Sequence, residues 1–266
     1  MSNSTSALLT STSPLFDRGY CDQRLAGSVV PRALLTTADR NEMYALLESY
    51  FAATSRVQFE SDLAEKEAVV LLRDVDGGQI RGFSTFMRLC ATIDGQEVVA
   101  FFSGDTIVAH QFWSETVLSR LWSRTVFAEA DRITAARHST RVYWFLICSG
   151  YKTWRFLPVF FREFYPNAGT ATPPAVRRIL DDLGELKFGE QYDARCGVVR
   201  FPRATPLRQG VADITEQRLN DPRIDFFARM NPGHASGDEL ACLTEIKRSN
   251  LTRAGERMVI DRTRLD

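Results

Sequence analysis

Three histidines and five cysteines are the side chains of this 266-residue chain best suited to chemistry near neutral pH. His138 sits in a polar stretch, Ala136-Arg137-His138-Ser139, where solvation is the plain reading. His234 belongs to a loop, Asn231-Pro232-Gly233-His234-Ala235-Ser236-Gly237-Asp238-Glu239. One imidazole with two acids is too small a set for a metal site, and Asp238 reads as the N-cap of a following helix. His110 stands at the end of an apolar stretch, ahead of Gln111-Phe112-Trp113-Ser114, and Asp105 follows Gly104 just upstream. Either could take a proton at neutral pH. Equally, His110 could close a turn and Asp105 could occupy a bulge. Cys21, Cys90, Cys148, Cys196 and Cys242 are scattered with no C-x-x-C pair, so neither a disulfide framework nor a zinc knuckle is indicated. Cys148 as a nucleophile has no legible base beside it.

The bulk composition bounds what such groups could serve. Lys+Arg and Asp+Glu are both 33, a balance that argues against generic nucleic-acid binding while leaving room for small anionic ligands. A hydrophobic fraction of 44% with 25% charged residues is the mix of a globular protein with a core. Met1 to Pro14 is rich in Ser and Thr and lacks the basic start of a signal peptide. No apolar run is long enough to span a bilayer. The cytoplasm is the expected location.

The elements that must position these residues follow from periodicity. Residues 1–28 read as a flexible lead. Ser28–Leu35 reads as a short edge strand, and Thr37 precedes a helix with Met43, Leu46, Leu47, Tyr50 and Phe51 at helical spacing. A second helix covers Val57–Glu65. Glu67–Arg73, Ile80–Ile93 and Val98–Ala109 read as three strands joined by the turns Asp76-Gly77-Gly78 and Asp94-Gly95, an antiparallel meander. In the third, Ser103-Gly104-Asp105 marks a bulge or a close backbone approach. A helix follows over Gln111–Arg132, then the apolar strand Val142–Cys148 and a helix over Lys152–Phe164 that Pro158 should kink or break. A short helix, Ala175–Leu183, and two strands, Glu185–Tyr192 and Cys196–Phe201, close the sheet. Residues 204–266 read as a helical extension, including helices over Pro222–Met230 and Asp238–Asn250.

This order of elements, from Ser28 to Phe201, resembles the GNAT acyltransferase superfamily. The resemblance implies an α/β (α+β) fold: a mixed, mostly antiparallel sheet flanked by helices over residues 29–203, with the C-terminal extension packed on it. It implies an N-acyltransferase that moves an acyl group, of medium or long chain if an apolar tunnel exists, from a thioester to an amine of a small molecule, amino acid or peptide. The alternatives are a GNAT-shaped binding protein without catalysis and an acyl-carrier-dependent synthase of a signal or lipid. The implied partners are acyl-CoA or acyl carrier protein as donor and an amine acceptor, with no nucleic acid, metal or membrane span; a homodimer is compatible with this reading.

In the superfamily, as the resemblance implies, the fourth and fifth strands splay apart and the pantetheine arm lies between them. Here those strands are Val98–Ala109 and Val142–Cys148. A glycine-rich loop after the fourth strand holds the donor's pyrophosphate. This chain departs from that pattern: Thr106-Ile107-Val108-Ala109-His110-Gln111-Phe112-Trp113-Ser114 has no glycine and no arginine. A donor on acyl carrier protein, with a single phosphodiester, would ask less of that loop. Backbone N–H groups of Ile107, Val108 and Ala109 map to the oxyanion donor, Asp105 or His110 to the base, and Tyr151 or Tyr165 to the acid. Trp113, Ser114, Ser149 and Trp154 flank the expected donor channel. Ser149 could bond the pantetheine amides or cap a helix. The aromatic run Trp144-Phe145, Tyr151, Trp154, Phe156, Phe160, Phe161, Phe164 and Tyr165 could line an acyl tunnel or fill the core. The extension is expected to cover the acceptor side.

Overall fold

The computed structural model describes residues 19–260. The lead expected over residues 1–28 lies outside the described residues up to 18. Its remainder is sheet rather than coil: β1 is Gly19–Cys21 and β2 is Leu25–Pro31. The reason is alternation, since Leu25, Gly27 and Val29 are buried while Ala26 and Ser28 are exposed. Helices α1 (Thr37–Tyr50) and α2 (Arg56–Ala64) follow, then β3 (Ala68–Asp74), β4 (Ile80–Ile93) and β5 (Gln96–Val108). Helix α3 is Val117–Ala136 and strand β6 is Arg141–Cys148. The chain continues through α4 (Tyr151–Trp154), α5 (Phe156–Phe160) and α6 (Pro174–Phe188). The last elements are β7 (Tyr192–Asp193), β8 (Val198–Val199), α7 (Pro222–Met230), β9 (Glu239–Glu245) and α8 (Arg253–Val259).

The nine strands form one sheet in the order β1-β2-β3-β4-β5-β6-β9-β8-β7. Every pairing is antiparallel except β5 with β6. Alternate side chains of each central strand feed opposite faces. In β6, Val142, Trp144 and Leu146 join the core under α3, α5, α7 and α8, whereas Tyr143 and Phe145 join the core under α6. The same alternation in β3 sends Val69 and Leu71 to α1 and α2 and Val70 and Leu72 to α3. The turn Asp94-Gly95 takes positive φ at both residues, as its sequence predicts for a two-residue hairpin.

Local chemistry sets the ends of the helices. Thr36, one residue earlier than expected, caps α1: its hydroxyl accepts from the Asp39 N–H at 3.1 Å while the Asp39 carboxylate accepts from the Thr36 N–H at 2.9 Å. Pro158 breaks the expected Lys152–Phe164 helix into α4 and α5. The break falls at Arg155 because a proline ring has no N–H for the carbonyl four residues back and clashes with it.

Further expected elements differ. The edge strand expected over Ser28–Leu35 is the end of β2, which is paired on both sides by β1 and β3, and Arg32–Leu34 is a 3₁₀ turn. Residues 185–188, expected as strand, are the last turn of α6, which runs to a positive-φ Gly189 and lays Gly184 against the Tyr192 ring. Asp238–Asn250, expected as a helix of the extension, contains β9, the strand that pairs with β6. Leu240–Thr244 are all buried, Leu240 and Cys242 on one face and Ala241 and Leu243 on the other. A strand covered on both faces is a continuous apolar run, which periodicity alone does not separate from a buried helix. Part of the expected extension, β9, is therefore woven into the sheet.

Candidate active site

The site begins at a bulge. Ser84 pairs with Thr106 and Phe86 with Ser103, so Thr85 of β4 faces two residues of β5, Gly104 and Asp105. Such an insertion bends its strand and raises its twist. β5 leaves β6 at that point: their last pair is Ser103 with Leu146, and Gly104–Val108 has no partner on that side. The expected splay between these strands is thus present and has a local cause. The Ala109 N–H donates to the Arg81 carbonyl at 2.7 Å, and strand alternation turns the Val108 N–H the other way, toward the gap. Of the three backbone groups the resemblance nominated, Val108 is the one the register leaves for a ligand.

Opposite-sign side chains line the gap on the α1, α2 and α6 face. Lys66 follows α2 directly and is 6% exposed, with its ammonium beside Gly104 and 5.6 Å from the Phe102 ring centroid. Burial, and then the charge of Lys187, push its pKa down. Burial pushes the Asp105 carboxyl up, against the pull of Lys66. Across the gap, Glu239 opens β9 one residue beyond the Leu240–Cys148 pair. Burial pushes its carboxyl up to about 8; Asp105 and Asp62 add to the rise, and a hydrogen bond with Ser149 opposes it. Lys187 is held by Glu65 at 2.5 Å, which ties the end of α6 to the end of α2. The gap is therefore lined by two carboxyl groups, Asp105 and Glu239, near one buried ammonium, with the charge of Asp62 felt from α2.

A second group of side chains sits at the outer tip of β5. His110 opens a one-turn 3₁₀ helix, and its N–H donates to the Tyr50 hydroxyl at 2.6 Å. Its ring packs 4.5 Å from that of Trp113, whose indole N–H donates to the Val108 carbonyl at 2.7 Å. The Lys152 ammonium lies 3.7 Å from the Trp113 ring centroid. Ser114 is exposed beyond it. Arg24 reaches from the β1–β2 turn to Glu115 at 2.8 Å and to the Gln111 carbonyl at 3.1 Å, so the stretch that replaces a glycine loop is pinned by side chains.

The chain between β8 and β9 crosses in front of the gap. Ala52 N–H donates to the Pro206 carbonyl at 2.8 Å, Leu207 bridges Phe51, and the Leu207 side chain lies against Gly150 at the tip of β6. Leu207 thus joins the end of α1, which holds the tip of β5 through Tyr50, to the tip of β6. Arg218 from the same segment donates to the Tyr151 hydroxyl.

The structure brings Asp105 and Ser149 to the gap, sets Val108 at its edge and puts Tyr151 at the tip of β6. His110, Trp113 and Ser114 form the outer group, while Ile107 is buried toward α1 and Ala109 is bonded to β4. Tyr165 pairs with Leu243, four residues along β9 from Glu239 or about 13 Å at the usual strand rise. Trp154 is 1% exposed and packs on Phe164, Phe226 and Phe227. Trp144, Phe145, Phe161 and Phe164 fill the core in the same way, whereas Phe156 is exposed; Trp144 lies 4.4 Å from Trp122, and both indoles donate to the Ser103 hydroxyl at 3.1 Å.

Sequence reasoning missed Glu239, Lys66, Asp62 and Lys152. Glu239 was hidden by the helical reading of its segment; Asp238 beside it is no N-cap but an acceptor from Arg200 at 3.1 Å. Lys66 stands in Glu65-Lys66-Glu67, where nothing local distinguishes it from a solvated charge run. Among the described residues no helix is long and apolar enough to cross a membrane, and no three His, Cys, Asp or Glu side chains gather as a metal site would require.

No protein-family model matches the chain, and no curated protein does. Solved structures with partial likeness include a protein from Enterococcus faecalis described as a probable N-acyltransferase, at 13% identity and TM-score 0.38 over 52% of this chain. The match spans only 33% of that protein's length. A GNAT-family N-acetyltransferase from Escherichia coli, solved with CoA, aligns at 17% identity and TM-score 0.34 over 52% of this chain and 71% of its own. A GNAT-family acetyltransferase from Bacillus anthracis aligns at 6% identity and TM-score 0.34 over 56% of this chain and 87% of its own. At these values the likenesses carry no weight on activity or ligand. The sheet itself, with a strand and two helices, an antiparallel meander, a parallel β5–β6 pair that parts at a bulge, and helices on both faces, is the mixed, mostly antiparallel α/β arrangement expected from the order of elements.

Proposed function

We propose that the protein transfers an acyl group from an acyl thioester to an amine held in the gap between β5 and β6. The observation that carries this reading is the gap itself, where a backbone N–H left free by strand register faces carboxyl groups displaced toward neutral pKa. An amine arrives as an ammonium and must lose a proton before it can attack. Glu239, with its carboxyl near 8, is the base. Its carboxylate takes the ammonium proton, and the neutral nitrogen attacks the thioester carbonyl. The Val108 N–H holds the oxyanion that forms. Collapse breaks the C–S bond, the amide C–N bond remains, and the thiolate takes a proton. Tyr151 is the acid in this reading, supported by Arg218 donating to its oxygen, which leaves the phenol proton free to transfer. Asp105 holds the amine from the other wall and keeps the Glu239 carboxyl protonated more readily than an isolated acid.

The donor side favours a thioester of coenzyme A or of a carrier protein, whose phosphate would meet Lys152 and the Trp113 ring at the tip of β5. The glycine cradle that usually receives a pyrophosphate is replaced by bulky side chains tethered by Arg24. Transfer from a series of acyl-CoAs and acyl carrier proteins to a mixture of small amines, read by intact mass of the products, tests the proposal. Amide formation that depends on Glu239 supports it. Hydrolysis alone, or binding of thioesters without turnover, would leave a binding protein with this fold.

A further inference from the structure

Lys66 is the most unusual side chain in the described structure. It is 6% exposed, and it has no hydrogen-bond or ion-pair partner for its ammonium among the described residues. Buried charges are ordinarily paired, because leaving one without a partner costs several kcal/mol. Two further features lie against it. Thr85, fully buried, has a hydroxyl with no partner. Gly104 is what lets the two approach: a Cβ at that position would lie 3.0 Å from the Thr85 hydroxyl and 3.0 Å from the Lys66 Cε. Two donors, the Lys66 ammonium and the Thr85 hydroxyl, thus meet at the bulge without a hydrogen-bond partner among the described residues.

Asp105 is the next residue, and it makes no ion pair with Lys66 although the two charges feel one another. Direct contact would have satisfied both. The fold instead holds an unpaired ammonium on one side of the bulge and unpaired carboxyl groups, Asp105 and Glu239, on the other. A ligand that carries both charges on neighbouring atoms would satisfy all of them together.

We infer that the acceptor is a free α-amino acid, bound as a zwitterion, with its carboxylate on Lys66 and the Thr85 hydroxyl and its amine on Asp105 and Glu239. This rests on the acyl-transfer reading for what happens to the amine, but not for the binding itself. The amine so placed is the group Glu239 deprotonates, so the carboxylate contact also aims the nucleophile. The floor beside Lys66 is aromatic: the Phe102 ring meets Phe188 at 5.6 Å, and Phe188 meets Phe201 at 5.9 Å. Beyond Phe188 an open groove of about 610 Å³ runs along Phe188, Glu190, Gln191, Arg200, Phe201 and Pro202.

The deciding experiment compares L-phenylalanine with L-phenylalaninamide and phenethylamine as acceptors for the full chain, with acyl-CoA as donor, and repeats the comparison in Lys66→Met and Thr85→Val. The expected result is a kcat/KM at least about 50-fold higher for the acid than for the amide or the amine. Lys66→Met brings that ratio near one, and Thr85→Val lowers it several-fold. Equal use of acid and amide by the wild type overturns the inference, as does a ratio that survives Lys66→Met. If Lys66→Met fails to fold, the wild-type ratio and Thr85→Val decide. Calorimetric titration of L-phenylalanine and of its amide without donor separates the two readings. Acid-selective binding without any transfer keeps the amino-acid site and removes the enzyme. Transfer to amines with no preference for the acid keeps the enzyme and removes the amino-acid site.

Discussion

The two halves of β5 were folded under different rules. From Val98 to Ser103 the strand is paired on both sides, Phe101 packs under α3 and Phe102 under α6, and the buried Ser103 hydroxyl is satisfied by two indoles. From Gly104 to Val108 one edge is unpaired, and the half-buried Asp105 faces an ammonium it does not touch. The first half meets every requirement of a sheet interior. The second violates two of them, backbone pairing and charge pairing, within five residues. Such violations persist where the surrounding fold enforces them, and they mark places where a ligand completes the structure.

Substitutions on either side of the bulge should therefore fail in opposite ways. The largest effect is expected from Glu239→Gln, which should lower kcat by about two to four orders of magnitude while the protein stays folded, as for the loss of a general base. In the wild type, the rate should climb with pH through about 8, where the Glu239 carboxyl ionises, and Glu239→Gln should flatten that limb. A rate that is independent of pH between 6 and 9 would remove Glu239 from the chemistry. Next comes the paired half: Phe101→Ala should cost about 3–5 kcal/mol of stability by opening a cavity, measured by denaturant unfolding, with the residual folded fraction retaining its specific activity. If Phe101→Ala instead changes KM without a stability loss, the division between the halves is wrong.

Stability should also separate them through pH. The folded protein holds the Glu239 proton more tightly than the unfolded chain does, so this group withdraws stability as pH rises from about 4.5 to about 8. Glu239→Gln lacks that penalty. It should melt about 3–6 °C above the wild type at pH 9 and close to it at pH 4. A lower melting temperature at pH 9 would mean that the carboxylate is paired rather than stranded. The smallest effect belongs far from the gap: Thr36→Ala, which removes the reciprocal cap of α1, should cost about 1 kcal/mol and leave turnover unchanged.

Much of this was written in local sequence. Gly104 announced its bulge because a glycine within an apolar strand has few other uses. Asp94-Gly95 announced its hairpin, and Pro158 the break between α4 and α5, because each acts through the backbone of its immediate neighbours. The meander, the long α3 and the apolar β6 were likewise legible from periods of 2 and 3.6. The closing strand of the sheet was not. Glu239–Glu245 carries an apolar run that suits a helix or a doubly covered strand, and only β6 on one edge and helices on both faces decide between them.

The candidate site divides along the same line. Asp105 was visible because the glycine before it is a backbone signal, and Ser149 because it ends an unmistakable strand. Lys66 and Glu239 were not visible, since a lysine between two glutamates and a glutamate after an aspartate look like surface. Their chemistry comes from burial, and burial belongs to whatever packs around a residue rather than to the residue. The sequence alone determined most of the elements and the place where β5 would bend, since turns, caps and bulges are decided within a few residues. Only the tertiary structure decided that the Lys66 ammonium and the Asp105 and Glu239 carboxyl groups, from segments as far apart as the end of α2 and the start of β9, would be brought together where burial pushes the carboxyls up and the ammonium down.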